Sequence, residues 1–327
     1  EDVRVAAREA RRGVIHTGTS ASTIEKDGNA LQVRTDLGLA VSALSVVVAT
    51  NSPVNTLVAM HTKQEAYRTY ALAAQGPLGS LDPGLWWGTS ELAGEEDGPY
   101  HYVRTSRDGM GEYLVIGGSD HPTGDTPPPD AWDRLEAWAR ERWPMLGSVV
   151  HRWSGQVMEP ADGVAYIGAS PSGPEGVFLV TGDSGMGMTH AAIAAMMLPS
   201  LIMGEKHAWA DLYDPSRKAW HGLGTFFREG AKTVAGLARW LGPGERVESL
   251  APGEGVIVRH GLHLLAVHRD DQGTLQARSA KCTHLGCVVR WNGVEKTWDC
   301  PCHGSRFGRG GEVLNGPATT GLKPERL

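Results

Sequence analysis

Cysteines and histidines near the carboxyl end are the residues of this sequence best suited to bind a metal. They form a C-x-H pattern followed, fifteen residues later, by C-x-x-H, with candidate ligands at Cys282, His284, Cys300 and His303. Each pair can occupy one tight loop, and two such loops can converge on one small site. All four cysteines lie between Cys282 and Cys302, whereas a disulfide-stapled secreted protein spreads its cysteines through the fold. The pattern therefore predicts a metal or redox site.

Two kinds of metal centre use this set of donors. Two cysteines and two histidines can hold a structural zinc ion. They can also hold a 2Fe–2S cluster, with two thiolates on one iron and two imidazoles on the other. Zinc has no need of the further cysteines, Cys287 and Cys302, or of the small residues around the loops (Gly286, Gly304 and Ser305). We favour the cluster, and a zinc-stabilised binding protein is the alternative.

Residues 246–327 resemble the Rieske family, because both loops match, including Gly286, Gly304 and Ser305. The resemblance implies a cluster whose inner iron is bound by Cys282 and Cys300 and whose outer iron is bound by His284 and His303. It also implies a disulfide between Cys287 and Cys302 that braces the two loops.

Two further positions bear on the reduction potential of such a cluster. By the same resemblance, the Ser305 hydroxyl donates to a bridging sulfide, which raises the potential. High-potential members carry a tyrosine where this chain has Phe307, so one hydrogen bond is missing. We expect a potential within the Rieske range of about −150 to +300 mV, below its upper end.

A glycine-rich turn follows the apolar run Val177 to Val180 and precedes a predicted helix over 191–202. Backbone N–H groups at such a helix start stabilise negative charge, as on a reduced flavin, and glycines allow close approach. A tight strand–helix connection without ligand is the alternative. The candidate cofactor-binding residues are Gly182, Asp183, Gly185, Met186, Gly187, Met188 and Thr189.

Three segments lie in an order that resembles the FAD-dependent oxidoreductases of the D-amino-acid-oxidase and glycine-oxidase type. They are residues 46–51, residues 155–162 and residues 181–190. The resemblance covers about residues 1–222 and implies FAD, and family members with a C-terminal Rieske domain form a recognisable subgroup.

That family begins with a G-x-G-x-x-G turn that binds the ADP pyrophosphate, and this sequence has no such motif at its beginning. We therefore expect a truncated flavin domain, which makes FAD binding by this chain doubtful.

The same resemblance places the substrate on the middle sheet. Tyr102, Arg104 and His121 are pocket candidates, and Arg104 can bind a carboxylate through two hydrogen bonds. The alternative is that they are ordinary strand residues with solvated polar groups, so the catalytic residues are unknown.

The predicted fold is α/β, a partial Rossmann-like FAD-binding domain with an antiparallel substrate sheet, followed by a small all-β Rieske domain. The expected segments are 1–60 (remainder of the FAD-binding domain), 61–150 (substrate side), 151–222 (return segment of the FAD-binding domain), 223–245 (helical linker) and 246–327 (Rieske domain).

The net charge of −6 gives no argument for binding nucleic acid, and no apolar run reaches the ~20 residues of a membrane-spanning helix. The sequence therefore predicts a cytoplasmic oxidoreductase in which a flavin module oxidises an amine or amino acid. A Rieske cluster would exchange the electrons with a partner protein or a small acceptor. One alternative is a Rieske electron-transfer module on a flavin-free docking scaffold. A ring-hydroxylating oxygenase fits less well, because no H-x(3–5)-H spacing upstream supplies a mononuclear iron site.

Overall fold

The computed structural model describes residues 13–54, 58–88, 101–218, 240, 244 and 246–327. Residues 1–12 lie outside these, and so do nearly all residues of the expected helical linker, 223–245. Residues 14–16, an apolar pair and a histidine that would suit a short strand, do not form one. Val14 is 80% exposed, and no neighbouring strand in the described residues offers it backbone hydrogen bonds.

The part of the chain before the linker has its strands and helices at the following bounds: β1 (Ala21–Asp27), β2 (Ala30–Thr35), β3 (Ala40–Ala43), β4 (Val46–Val48), α1 (Val58–His61), β5 (Gln64–Gly76), β6 (Leu85–Gly88), β7 (His101–Arg107), β8 (Glu112–Pro122), α2 (Ala131–Arg142), β9 (Val149–Pro160), β10 (Tyr166–Ala169), β11 (Val177–Thr181), α3 (Gly187–Ile202) and α4 (Ala210–Tyr213). Strand β11 runs parallel to β4 in a sheet ordered β10-β11-β4. Helix α3 packs on this sheet through Ala194, Met197 and Leu198, so the glycine-rich turn connects the end of β11 to the start of α3.

A five-stranded antiparallel sheet, ordered β6-β7-β8-β5-β9, forms the middle of the molecule. Its central strand β5 is buried along almost its whole length. One face packs against α2, where Tyr70, Leu72 and Ile116 meet Leu135 and Ala139. Strand β9 pairs with β5 from end to end. Residues 151–160, which were expected in the return segment of the FAD-binding domain, therefore belong to the middle sheet.

The all-β part contains β12 (Gly255–His260), β13 (His263–Arg269), β14 (Leu275–Ser279), β15 (Arg290–Asn292), β16 (Thr297–Asp299), β17 (Arg306–Phe307), β18 (Val313–Asn315) and β19 (Pro324–Glu325). They form two four-stranded sheets, β12-β13-β14-β19 and β15-β16-β17-β18. Because β15 and β16 are antiparallel, with Arg290 opposite Asp299, the loop before β15 and the loop after β16 lie at the same end. Both candidate ligand pairs are in these two loops.

Candidate functional site: two metal-binding loops docked on the middle sheet

The two candidate metal-binding loops close in the same way. In the first, the Cys282 N–H donates to Cys287 O (2.9 Å) and the Gly286 N–H donates to Cys282 O (2.9 Å). In the second, the Cys300 N–H donates to Ser305 O (2.8 Å) and the Gly304 N–H donates to Cys300 O (3.1 Å). Gly286 and Gly304 adopt φ of 83° and 79°, a left-handed conformation that favours glycine. Each loop is therefore a tight turn that contains one candidate cysteine ligand and one candidate histidine ligand.

The four candidate ligands converge. Cys282 and Cys300 are 2% and 1% exposed, and a hydrogen bond between their sulfurs lowers the pKa of Cys282 to about 7 and raises the pKa of Cys300. The His284 and His303 ring centroids are 5.1 Å apart. Burial lowers the pKa of each of these histidines to about 4, with His284 adding to the effect on His303. Two cysteines and two neutral imidazoles are the ligands of a Rieske-type 2Fe–2S cluster, so this donor set fits one.

The other two cysteines are bonded to each other. A disulfide joins Cys287 to Cys302, and it ties the two loops together. Their sulfurs and that of Cys300 lie within 4.8 Å of one another, but disulfide sulfurs are not thiolate ligands. Ser305 is fully buried; its Oγ accepts the Ala318 N–H at 3.0 Å and its hydroxyl donates to the sulfur of Cys282. Ser305 therefore lies next to the cysteine ligands of the site.

The second loop packs directly against the middle sheet. The Gln156 side-chain amide on β9 donates to Gly304 O at 2.9 Å. A Cβ at Gly304 would lie 2.4 Å from the Ala66 Cβ. His61, at the end of α1, is 2% exposed, and its ring lies 4.8 Å from that of His284 and 5.5 Å from that of His303. The imidazole side of the site therefore faces the first part of the chain.

A buried charge network holds the same interface. Arg68 on β5 contacts Glu295 at 2.8 Å, with side chains 3% and 9% exposed. Arg306 contacts Glu295 and Asp299, both at 3.0 Å, and Ser154 on β9 donates to Glu295. Burial alone would raise the pKa of Glu295, but the charges of Arg68 and Arg306 lower it.

A chain of hydrogen bonds connects this interface to the glycine-rich turn. Asn51 Nδ2 donates to Gln156 O at 2.9 Å, and the Thr181 hydroxyl donates to Asn51 O at 2.5 Å. Thr181 is the first residue of the turn, and Gln156 reaches Gly304 through its side chain. The backbone next to His303 is thereby linked to the backbone at the start of the turn.

The turn itself has room for a ligand. Gly182 and Gly185 have φ of 71° and 74°. A Cβ at Gly185 would meet open space, whereas a Cβ at Gly182 would lie 3.1 Å from Gln64 Oε1, so the open part of the turn is its second half. Met188 is 89% exposed, and Thr189 is also exposed. An open, left-handed turn at a helix start fits the flavin end of FAD. The remaining candidates (Asp183, Met186 and Gly187) lie in the same turn.

The structure brings together two of the three substrate candidates. Tyr102 and Arg104 are two residues apart on β7 and share the face opposite α2, where the Tyr102 and Thr69 hydroxyls are 3.0 Å apart. His121 lies on the other face, with its ring stacked on Tyr70 at 5.6 Å. The sequence did not single out His61 or Arg68, because no local motif marks them, and Gln156 entered only as part of the 155–162 segment of the family resemblance.

Family comparisons agree with this architecture. A family model described as FAD dependent oxidoreductase matches residues 3–201, and one described as Rieske [2Fe-2S] domain matches residues 243–324. The chain therefore belongs to the FAD-dependent oxidoreductase family and carries a C-terminal Rieske domain. The oxidoreductase family implies FAD, and the Rieske domain implies a 2Fe–2S cluster. The predicted family and fold class are confirmed, and the two cofactors are confirmed as those that the family and the Rieske domain imply.

Individual relatives cover parts of the chain. YhfW of Bacillus subtilis (strain 168), which is named as a Rieske 2Fe-2S iron-sulfur protein, is 33% identical over 220 residues, or 65% of this chain and 43% of YhfW. The chloroplastic cytochrome b6-f complex iron-sulfur subunit of Fritillaria agrestis is 43% identical over 88 residues, or 26% of this chain and 36% of that protein.

Among solved structures, glycine oxidase from Geobacillus kaustophilus aligns with a TM-score of 0.49 at 18% identity, over 63% of this chain and 54% of that one. The chain thus spans about half or less of the length of these relatives. Within the described residues, no helix is long and apolar enough to cross a bilayer.

Proposed function

We propose that the chain exchanges electrons internally, between a flavin at the 181–189 turn and a cluster held by Cys282, His284, Cys300 and His303. The observation that carries this proposal is the Gln156 bridge, which bonds to Gly304 beside one imidazole ligand and to Asn51 beside the turn. When bound, FAD accepts two electrons as a hydride, and the cluster carries one at a time. The residues of the interface exclude water and hold the two sites in fixed relation.

The substrate we propose is an amine or amino acid. Tyr102 and Arg104 share the sheet face opposite α2, and Arg104 is exposed, which leaves its guanidinium available to a carboxylate. His121 is left out of this pocket because it faces α2. The cytoplasmic location expected from the sequence stays a prediction.

Electrons that reach the cluster need a one-electron partner. A cleft of about 500 Å³ opens beside the first loop and is lined in part by His284, Lys281 and Lys323. Both lysines are exposed, and no carboxylate of the described residues lines the cleft. We propose that an acidic electron carrier docks here, because opposite charges favour encounter and orientation.

The test uses light to reduce the flavin, so that it does not depend on the unknown substrate. The protein is reconstituted with iron, sulfide and FAD and is illuminated with EDTA without oxygen. We expect the EPR signal of the reduced cluster to grow as the flavin absorbance bleaches. A Cys282→Ser variant serves as the control and should show flavin bleaching without the signal. A wild-type cluster that stays oxidised beside reduced flavin would contradict internal transfer, and failure to retain any flavin would favour the flavin-free scaffold.

A further inference from the structure

Three imidazole rings meet at the junction between the two parts of the chain. Two belong to the candidate ligands His284 and His303, and the third belongs to His61 at the end of α1. The His61 ring meets that of His284 edge-on, with an interplanar angle of 77°, and that of His303 at 52°. No motif of either domain includes His61, so its place against both ligands arises from the docking of the two parts.

The position of His61 determines how much water can reach the imidazole side of the cluster. His61 is 2% exposed and His303 is 7% exposed, whereas His284 is only partly buried and also borders the cleft. The backbone around His303 is already covered by Ala66 and Gln156. The His61 ring thus lies directly against both ligand rings, on the side that faces the first part of the chain.

Burial matters to this cluster because its charge changes on reduction. Two ferric ions, two sulfides, two thiolates and two neutral imidazoles sum to zero, and the added electron makes the cluster negative. Water stabilises the charged form more than a dry environment does. Solvent exposure is accordingly one of the factors that set the potential of an iron–sulfur centre.

We propose that His61 is a positioning residue that lowers the reduction potential of the cluster by packing against both imidazole ligands and keeping water from them. A lower potential makes the reduced cluster a better electron donor to its partner. The inference rests on the proposed function for the cluster and its ligands. The inference does not depend on whether the flavin reduces the cluster, because the reduction potential is an equilibrium property of the cluster itself.

The experiment compares two substitutions that differ in whether they refill the space. His61→Ala opens a space for water, and we expect the potential to rise so that the one-electron equilibrium constant changes at least threefold, about 30 mV. His61→Phe keeps a ring in the space, and its one-electron equilibrium constant should stay within threefold of the wild-type value. The control is His101→Ala, which removes a partly buried histidine stacked on Trp138 of α2 and should leave the potential unchanged.

The readouts are an EPR-monitored redox titration and the coupling of exchangeable deuterons to the reduced cluster in heavy water. The coupling should increase in His61→Ala and not in His61→Phe. An unchanged potential in His61→Ala, an equal rise in both variants, or loss of the cluster from both would overturn the inference. If the wild-type cluster titrates normally but light-reduced flavin never reduces it, the internal transfer fails while the role of His61 stands.

Discussion

Removing the carboxylate of Glu295 tests the buried network that docks the Rieske domain on the middle sheet. Glu295 contacts the guanidinium groups of Arg68 and Arg306 with little exposure on any of the three side chains. Glu295→Gln would leave Arg306 with Asp299 and would leave Arg68 without its carboxylate. Breaking a buried pair by removing one partner costs about 3–5 kcal/mol, so we expect a loss of that size in the free energy of unfolding of the Rieske domain.

The matched control is an exposed ion pair in the same domain. Arg309 and Asp271 lie 3.8 Å apart with side chains 50% and 69% exposed, and such pairs contribute only about 0–1 kcal/mol. Urea unfolding of each variant, followed through the visible circular dichroism of the cluster, compares Glu295→Gln with Asp271→Asn. Equal losses in the two variants would show that the network does not stabilise the domain as argued.

The dependence of this loss on pH gives a second check. The pKa of Glu295 is lowered in the folded protein, since the arginines outweigh burial. Its stabilising contribution is therefore complete above the unfolded pKa of about 4.3 and is lost as the pH falls through the folded pKa. The difference between wild type and Glu295→Gln should be full at neutral pH and shrink in acid. A difference that grows with acidity would refute the reasoning.

Further predictions concern the loops and the flavin domain. Ser305→Ala removes the hydroxyl that donates to the sulfur of Cys282, so the potential of the cluster should fall in a redox titration; a rise would contradict this role. Gly304→Ala places a Cβ in a left-handed position against Ala66, so the iron content after reconstitution should drop, with normal content as the contrary result. Although burial opposes it, Arg217 lowers the pKa of Asp162. Asp162→Asn should therefore lose stability at neutral pH and approach the wild type as the pH falls through the folded pKa of Asp162, whereas a constant difference across the acid range would count against the pair.

The metal-binding loops could be predicted from the sequence because their donors are local. Each cysteine–histidine pair lies within four residues, and the glycines that close the turns are in the same motif. The strand–turn–helix around Thr181 is local in the same way. The apolar run from Val177 to Val180 likewise indicated a buried strand, but its parallel pairing with β4 comes from the structure.

Contacts between distant segments could not be predicted in this way. His61 meets ligands more than two hundred residues away, and Arg68 meets Glu295 across a similar separation.

The face of the sheet on which His121 lies could not be predicted either, because β8 is irregular. Simple alternation along β8 would put His121 on the same face as Tyr113, but the pairing of β8 with β5 shifts register between Arg68 and Tyr70. Ser119 is left-handed there, with φ of 57°, and this local change turns His121 to the opposite face.

The central claim is that electrons pass between flavin and cluster within one molecule. The most direct measurement is the rate at which the cluster becomes reduced after a light pulse has reduced the flavin, taken over a tenfold range of protein concentration. Transfer inside the docked molecule predicts a first-order rate constant that is the same at every concentration. A rate that rises in proportion to protein concentration would mean that electrons pass between molecules, and it would contradict the account.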